Sequence, residues 1–251
     1  MINITAKFDV RDVIKQIKDI QDKQIPFATS LAINNTAKLV KVKEEHEIRD
    51  VFDRPTPYIQ NSIFIKPSNK RNLTAFVGIK DQGFKSAPAS KVLQAEIAGG
   101  ERRLKAYEIA LRSVGVLPDG YFTVPGEAAK IDQYGNISRG QIVQILSYFR
   151  ANRDVGTTSN STDKTRARLA RSTKTRYGVS YFVGKPGDAP LGIWQKVFSN
   201  FGTAIRPIMI FVQSANYEAI YDFKFVAETT INREYNNEFA KAWELAERTA
   251  R

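Results

Sequence analysis

The chain has 251 residues, of which 42% are hydrophobic and 25% charged, and this composition is typical of a globular protein with a sizeable core. The chain has no cysteine, which excludes disulfides, thiolate metal sites and cysteine nucleophiles, and no apolar run approaches the roughly 18 residues of a membrane span. Its net charge of +12 indicates a polyanion or an acidic surface as partner.

The N-terminal region, residues 1–50, predicts two amphipathic helices. The first helix either packs within the fold or docks on a neighbouring subunit, and Val13, Ile17 and Ile20 are the residues expected to make that contact. Pro26 suits the first turn of the second helix. The N-terminus lacks the layout of a secretion signal, so we expect the protein to act in the cytoplasm or in a particle assembled there.

The segment that follows predicts first strands and then helices. NSIFIKP and LTAFVGI alternate apolar and polar residues around the polar turn SNKRN, a pattern typical of a β-hairpin. The stretch from 92 to 116 has helical spacing that Gly99 and Gly100 interrupt, which predicts two helices with a flexible joint. We expect the basic cluster after the joint, Arg102, Arg103 and Lys105, to form the solvated face of a helix.

The run YGNISRGQIVQILSYFR, residues 134–150, predicts a buried helix. Ser138 is suited to the N-cap, with Gln141 as its capping-box partner. In the helix that follows Ser138, the polar side chains form only a narrow stripe. We therefore expect a helix that is buried in the core or between subunits. Its predicted core residues are Ile142, Ile145, Leu146 and Phe149.

Residues 151–178 are polar, rich in serine and threonine, and basic, which predicts a mobile loop. Its basic side chains are Lys164, Arg166, Arg168, Arg171, Lys174 and Arg176. We expect them to contact DNA or an acidic protein surface, because like charges in one loop repel each other unless a partner offsets them; the alternative is a solvated loop. Specific single-strand binding usually needs interleaved aromatic residues, and Tyr177 is the only one here.

The remainder of the chain predicts strands and a final helix. VSYFVG, GIWQKVF and IRPIMIFV are short apolar or alternating runs typical of strands. Residues 223–251 predict a C-terminal helix with an apolar stripe. Together the elements predict one α+β domain, residues 1–251, with helices at both ends, a mixed or antiparallel sheet between them, and a long basic excursion.

The sequence contains no recognisable catalytic motif. His46 is the sole histidine and lies among glutamates on a polar helix end, where a solvated role is expected. No phosphate-binding loop or nucleophile elbow occurs. A carboxylate-only, magnesium-dependent nuclease site stays open at Asp222 and Lys224, or at Glu101 and Lys105. We expect no enzyme, no cofactor and no metal site.

Several segments resemble a group of phage and prophage virion proteins usually placed with the lambda minor tail protein Z family, the tail-completion proteins. These segments are IPFATSLAINNTAKLV, DRPTPY, GYFTVPGEAAKIDQYGNISRGQIVQILSYF and the closing strand and helix. The Y-G-N-x-S-R-G-Q-I-V-Q-I-L-S-Y run is the most specific part, whereas residues 151–178 match no part of the family pattern.

The resemblance implies a structural role at the phage neck or upper tail. Such proteins form a ring and complete the tail so that it joins the filled head. The implied partners are portal or adaptor proteins, tail proteins, further copies of this chain and, non-specifically, packaged DNA, with no membrane involved. The implied location is the virion, assembled in the host cytoplasm. A DNA-binding accessory protein is the alternative, followed by the nuclease.

Overall fold

The computed structural model describes residues 15, 18–83, 87–152, 160–173, 177–199, 202–214 and 216–249, with only the backbone of residue 21. Helices and antiparallel strands make up the described chain, which confirms the α+β prediction, including helices towards both ends. The chain divides into two compact units, residues 1–93 with 220–251, called unit 1, and residues 94–219, called unit 2. The prediction of a single domain stays a prediction.

Unit 1 is built on two long helices, α1 (Ile25–Val51) and α7 (Phe223–Thr249). Small side chains line the surface where they meet, so the two backbones approach closely. The buried residues there are Ala28, Ala32, Ala242 and Ala246, flanked by the half-buried Phe27, Leu31, Tyr235, Phe239 and Trp243. A short helix, α2 (Pro57–Gln60), follows α1, and the side chain of Thr56 accepts a bond from the backbone N–H of Ile59 at its N-cap.

The chain does not break between the two predicted N-terminal helices. A π-helix, Ile20–Gln24, leads directly into α1, and Gln24 has helical dihedrals. Pro26 has no N–H to donate, and the wider turn before it bonds the N–H of Ile25 to the carbonyl of Ile20 instead. Pro26 therefore lies in the first turn of α1, as predicted, without ending the helical path.

The predicted hairpin is confirmed as β1 (Ile63–Lys66) paired with β2 (Phe76–Ile79). Its connection is tied to α1 by Ser68. The backbone N–H of Ser68 donates to Asn34 Oδ1 at 2.8 Å, and Asn34 Nδ2 donates to the carbonyl of Ser68 at 3.1 Å. Because the asparagine side chain satisfies both backbone groups, the connection is held in one position against the helix.

Unit 2 contains a four-stranded antiparallel sheet in the order β4-β7-β6-β5. Its strands are β4 (Phe122–Pro125), β5 (Gly178–Gly184), β6 (Gly192–Ser199) and β7 (Gly202–Val212). Central strand β7 contains Pro207, which cannot donate to a neighbouring strand. The register of β6 and β7 shifts at Ile193 and Trp194, which is opposite Pro207, and such an irregularity is where a central strand tolerates proline.

The other elements of unit 2 are short. The helices are α4 (Ala106–Ser113), α5 (Arg139–Tyr148) and α6 (Asp163–Ala170), and the strands β3 (Gly100–Glu101) and β8 (Asn216–Tyr217) pair with each other. Helix α3 (Ala89–Ala98) spans the boundary between the units. The core of unit 2 lies between the sheet and α4 and α5, and includes Leu111, Leu117, Ile145, Ile193, Ile208, Met209 and Phe211.

Helix α5 is buried on one side within this chain, which corrects the prediction of a core helix, whereas burial of its other side between subunits stays a prediction. Ile145 is fully buried, and Ile142, Leu146 and Phe149 are half-buried against the same core. Val143, in contrast, is 49% exposed. The capping box is absent: the side chain of Ser138 makes no cap bond, and Gln141 Oε1 accepts from the backbone N–H of Lys130 at 2.7 Å. That bond explains why a polar glutamine is buried here.

The prediction of a loop throughout residues 151–178 is also wrong, because residues 163–170 form α6, and strand β4 was not predicted. Among the described helices, none has the length and apolar character needed to cross a membrane.

Candidate interaction surfaces

Unit 1 presents an open apolar groove of about 530 Å³ between α1, β2 and α7, here called the apolar groove. Its lining residues are Ile33, Thr36, Ala37, Val40, Ala75, Phe76, Val77, Ala227, Ile231 and Tyr235. Phe76 is 54% exposed and Ile231 is 44% exposed. Thr36 Oγ1 is buried without a hydrogen-bond partner in the described structure. The groove can therefore accept apolar side chains.

The predicted subunit-packing residues are only partly described. Val13 and Ile17 lie outside the described residues. Ile20 lies in the π-helix and is 43% exposed, so it is not a core residue of unit 1. Phe225, near the start of α7, is 65% exposed and does not line the apolar groove. The contact expected from Ile20 stays a prediction.

A buried glutamate and a buried tyrosine meet within unit 1. The hydroxyl of Tyr221 donates to Glu44 Oε2 at 2.7 Å, whereas Glu44 Oε1 has no partner among the described atoms. Burial raises the pKa of Glu44 from its ordinary value of 4.5 to about 7, with smaller contributions from Glu47 and Asp222, and the bond from Tyr221 opposes this rise. Burial also raises the pKa of Tyr221, as does the neighbouring Glu44. Glu44 is therefore a carboxyl group whose charge changes near neutral pH.

The described part of the predicted basic loop contains helix α6. Its N-cap is Thr162, whose Oγ1 accepts from the N–H of Thr165 at 3.1 Å. Asp163 pairs with Arg150 at 2.8 Å and with Arg166 at 3.2 Å. The pKa of Asp163 is lowered, first by the hydrogen bond from Arg150 and then by the charges of both arginines. This carboxylate offsets part of the repulsion expected from the basic residues.

The six predicted contact residues fall into three groups. Lys164, Arg168 and Arg171 are exposed. Arg166 is half-buried, with its guanidinium 5.6 Å from the ring centroid of Tyr148 and its Nε buried without a hydrogen-bond partner in the described part of the chain. Lys174 and Arg176 lie outside the described residues. Arg166 therefore makes contacts within the chain, whereas the sequence predicted a contact with a partner.

Beside α6 lies a second groove of about 490 Å³, here called the tyrosine groove. Its lining residues are Lys130, Val143, Gln144, Ser147, Tyr148, Ser161, Leu169, Tyr177, Val179, Tyr181 and Gln195. Sequence reasoning missed it because the three tyrosines come from the end of α5, from β5 and from the residue before β5. Tyr177 was the one local signal, and two further rings join it only in the folded chain.

The second basic cluster is not a solvated helix face. Arg102 Nη2 and Nη1 lie 2.7 and 2.8 Å from the two carboxylate oxygens of Glu108, which also accepts bonds from the backbone of Lys105 and Thr123. The guanidinium of Arg102 lies 5.0 Å from the ring centroid of Phe122. Burial alone would raise the pKa of Glu108, and the bonds from Arg102 and these backbone groups hold it below its ordinary value. Arg102 is therefore a structural residue, whereas Arg103 and Lys105 are exposed.

The residues considered for a nuclease site make contacts with near neighbours in the chain or are exposed. Asp222 Oδ1 accepts from the N–H of Phe225 at 3.0 Å near the start of α7, and Lys224 pairs with Glu228 at 3.7 Å. Glu101 is exposed on β3, and His46 is exposed on α1. Across the residues that the structure describes, no group of three or more histidine, cysteine, aspartate or glutamate side chains is placed to hold a metal ion.

Two described surfaces are suited to a partner. The apolar groove of unit 1 exposes side chains that gain free energy when a partner covers them. The tyrosine groove of unit 2 combines aromatic rings with nearby cations. Comparison of the chain with protein-family models, with curated protein sequences and with solved structures finds no significant match.

Proposed function

We propose that this chain is a structural virion protein of the phage neck or upper tail. It completes the tail or connects it to the head, and it acts as a homo-oligomeric ring rather than as an enzyme. The single observation that supports this role best is the apolar groove, because apolar surface gathered in one concave place is typical of a protein–protein contact. The sequence resemblance to tail-completion proteins is the reason for proposing a phage virion as the assembly.

The partners in this proposal follow from the two kinds of surface. A further copy of the chain covers the apolar groove, since in a ring each subunit packs one of its surfaces against a different, complementary surface of its neighbour. The exposed cations of α6 and its C-cap, Lys164, Arg168 and Arg171, lie against acidic virion proteins on the portal or tail side, or against packaged DNA. The proposal needs no cofactor and no membrane.

Self-association through the apolar groove is tested with two exposed apolar residues of α7. Ile231→Ser removes an apolar side chain from the groove, whereas Phe225→Ser is the matched control outside it. We expect the wild-type chain and the control to form the same oligomer, and the Ile231 variant to require at least about tenfold higher concentration, a loss of roughly 1.4 kcal/mol. Light scattering coupled to size-exclusion chromatography gives the mass of each. Equal association of the two variants would remove the groove from the interface.

A DNA-binding accessory protein outside the particle is the second candidate, and α6 favours it. Within residues 160–173, four cationic side chains accompany the single carboxylate of Asp163. Duplex binding at physiological salt tighter than the roughly 10⁻⁴–10⁻⁶ M of non-specific contact would favour this candidate. Magnesium-dependent nicking of a plasmid, lost in Asp222→Ala, would instead favour a nuclease.

A further inference from the structure

The tyrosine groove offers one aromatic ring to solvent and holds two others in place. Tyr177 is 61% exposed, although it lines the groove. The rings of Tyr148 and Tyr181 meet edge to face with their centroids 5.2 Å apart, and the hydroxyl of Tyr181 accepts from Gln195 Nε2 at 3.2 Å. The groove therefore has a fixed aromatic wall and an open ring beside it, and aromatic faces of this kind bind flat unsaturated rings.

Cationic side chains border this aromatic wall. Lys130 lines the groove and is exposed. Arg166 lies over the ring of Tyr148 and forms an ion pair with Asp163. The same short helix carries the exposed Lys164. Asp163, the carboxylate of α6, is already paired with Arg150 and Arg166, so Lys130 and Lys164 can complement an anionic ligand.

The groove is held in shape by backbone and side-chain bonds that join α6 to its neighbours. The hydroxyls of Ser147 and Ser161 lie 3.0 Å apart, and the N–H of Ser161 donates to the carbonyl of Ser147 at 2.9 Å. At the other end of α6, a Cβ on Gly178 would lie 2.1 Å from the carbonyl oxygen of Ala170, so only glycine allows this approach of α6 to β5. A site fixed in this way loses little entropy when a ligand binds.

We propose that the tyrosine groove binds single-stranded nucleic acid. One unpaired base stacks on Tyr177, and the adjoining phosphates are neutralised by Lys130 and the cations of α6. Stacking requires a base whose face is free, and a groove of about 490 Å³ accepts a base but not a duplex. An acidic peptide would satisfy the cations and leave the exposed ring without a matching group. This inference does not rest on the virion role.

The test measures the anisotropy of a fluorescein-labelled dT 12-mer with the full chain over a series of salt concentrations. We expect Tyr177→Ala to weaken binding at least about fivefold, the lower bound for one stacked base, and Tyr177→Phe to restore it. We expect Lys130→Ala to reduce the slope of log affinity against log salt by about 0.7, the value for one phosphate contact on a single strand.

Two control variants separate this site from general basic binding. Tyr217→Ala removes an exposed tyrosine of the same unit, and Lys185→Ala removes an exposed lysine, both outside the groove. Binding that is equally weakened by Tyr177→Ala and Tyr217→Ala would overturn the proposal, as would a duplex of the same length binding as tightly as the single strand. A glutamate-rich peptide that binds while the dT 12-mer does not would also overturn it. Thermal melts verify that each variant is folded.

Discussion

Two buried carboxylates in this chain have opposite surroundings, and the difference decides what each one does. Glu108 accepts bonds from a guanidinium and from backbone amides, so it stays ionised and joins α4 to β4. Glu44 receives one hydroxyl bond and keeps one oxygen without a partner among the described atoms, so ionisation costs it free energy. Glu108 is therefore a structural ion-pair residue, whereas Glu44 makes the stability of unit 1 depend on pH.

Replacing Glu44 with glutamine tests this dependence. Below pH 4.5 the carboxyl is protonated in both the folded and the unfolded state, so it does not affect stability. Between pH 4.5 and the folded pKa of about 7 only the unfolded state releases the proton, so the free energy of unfolding falls over this range and is constant above it. The separation of the two pKa values corresponds to roughly 3 kcal/mol. We therefore expect the stability of Glu44→Gln relative to wild type to increase by roughly 2–3 kcal/mol between pH 5 and pH 8.

Urea denaturation at pH 5, 6, 7 and 8 gives the free energy of unfolding of each protein. Glu45→Gln is the control, since Glu45 is half-buried on the same helix and pairs with Lys41 at 3.7 Å. A constant stability difference between Glu44→Gln and wild type across this range would mean that Glu44 does not titrate with the raised pKa.

At the scale of elements, α1 and α7 carry unit 1, and their contact depends on alanine. Ala246 is fully buried and Ala242 is 2% exposed, facing Ala28 and Ala32 across the helix pair. Side chains this small let the helices approach closely, and the neighbouring aromatic rings fill the space on either side. A larger side chain at these positions would separate the two helices.

We therefore expect Ala246→Leu to lower the free energy of unfolding by about 1–3 kcal/mol, the usual cost of overpacking. Leu245→Ala is the matched control on α7: Leu245 is 44% exposed, so its truncation should change stability by less than about 1 kcal/mol. Chemical denaturation measures both values. An Ala246→Leu protein as stable as wild type would show that the helix pair has room for a larger side chain.

The elements that the sequence predicted correctly are those with a local pattern. The alternation in β1 and β2 and the apolar stripe of α7 were sufficient to predict these elements. In each of them the apolar residues recur with the period of a strand or of a helix. β4 was missed since its four residues stand among turn signals, and α6 was missed since it has no apolar stripe. Helix α6 is stabilised instead by the Thr162 cap and by the ion pairs of Asp163.

The candidate sites were less predictable because their members come from distant parts of the chain. The burial of Arg102 depends on Glu108 and on the backbone of Thr123 in β4, which no local pattern connects. Likewise the tyrosine groove joins a helix end to a strand. The sequence did identify the basic character of residues 163–171, since charge is read directly from composition.

At the scale of the whole molecule, the net charge of +12 constrains the ring proposal. Like-charged subunits repel one another, so a homo-oligomer of this chain needs an apolar contact between subunits and anionic neighbours around it. The apolar groove of unit 1 suits the first requirement, and DNA or acidic virion proteins suit the second. Assembly is therefore expected to weaken as salt screens the attraction to those neighbours.

The most direct test of the virion role is the copy number of this protein in purified intact particles, measured by quantitative mass spectrometry relative to the portal protein. A ring at the neck or upper tail predicts a fixed, simple ratio to the portal protein in every preparation. Absence of the chain from mature particles would contradict the virion role and leave the DNA-binding accessory protein as the leading proposal.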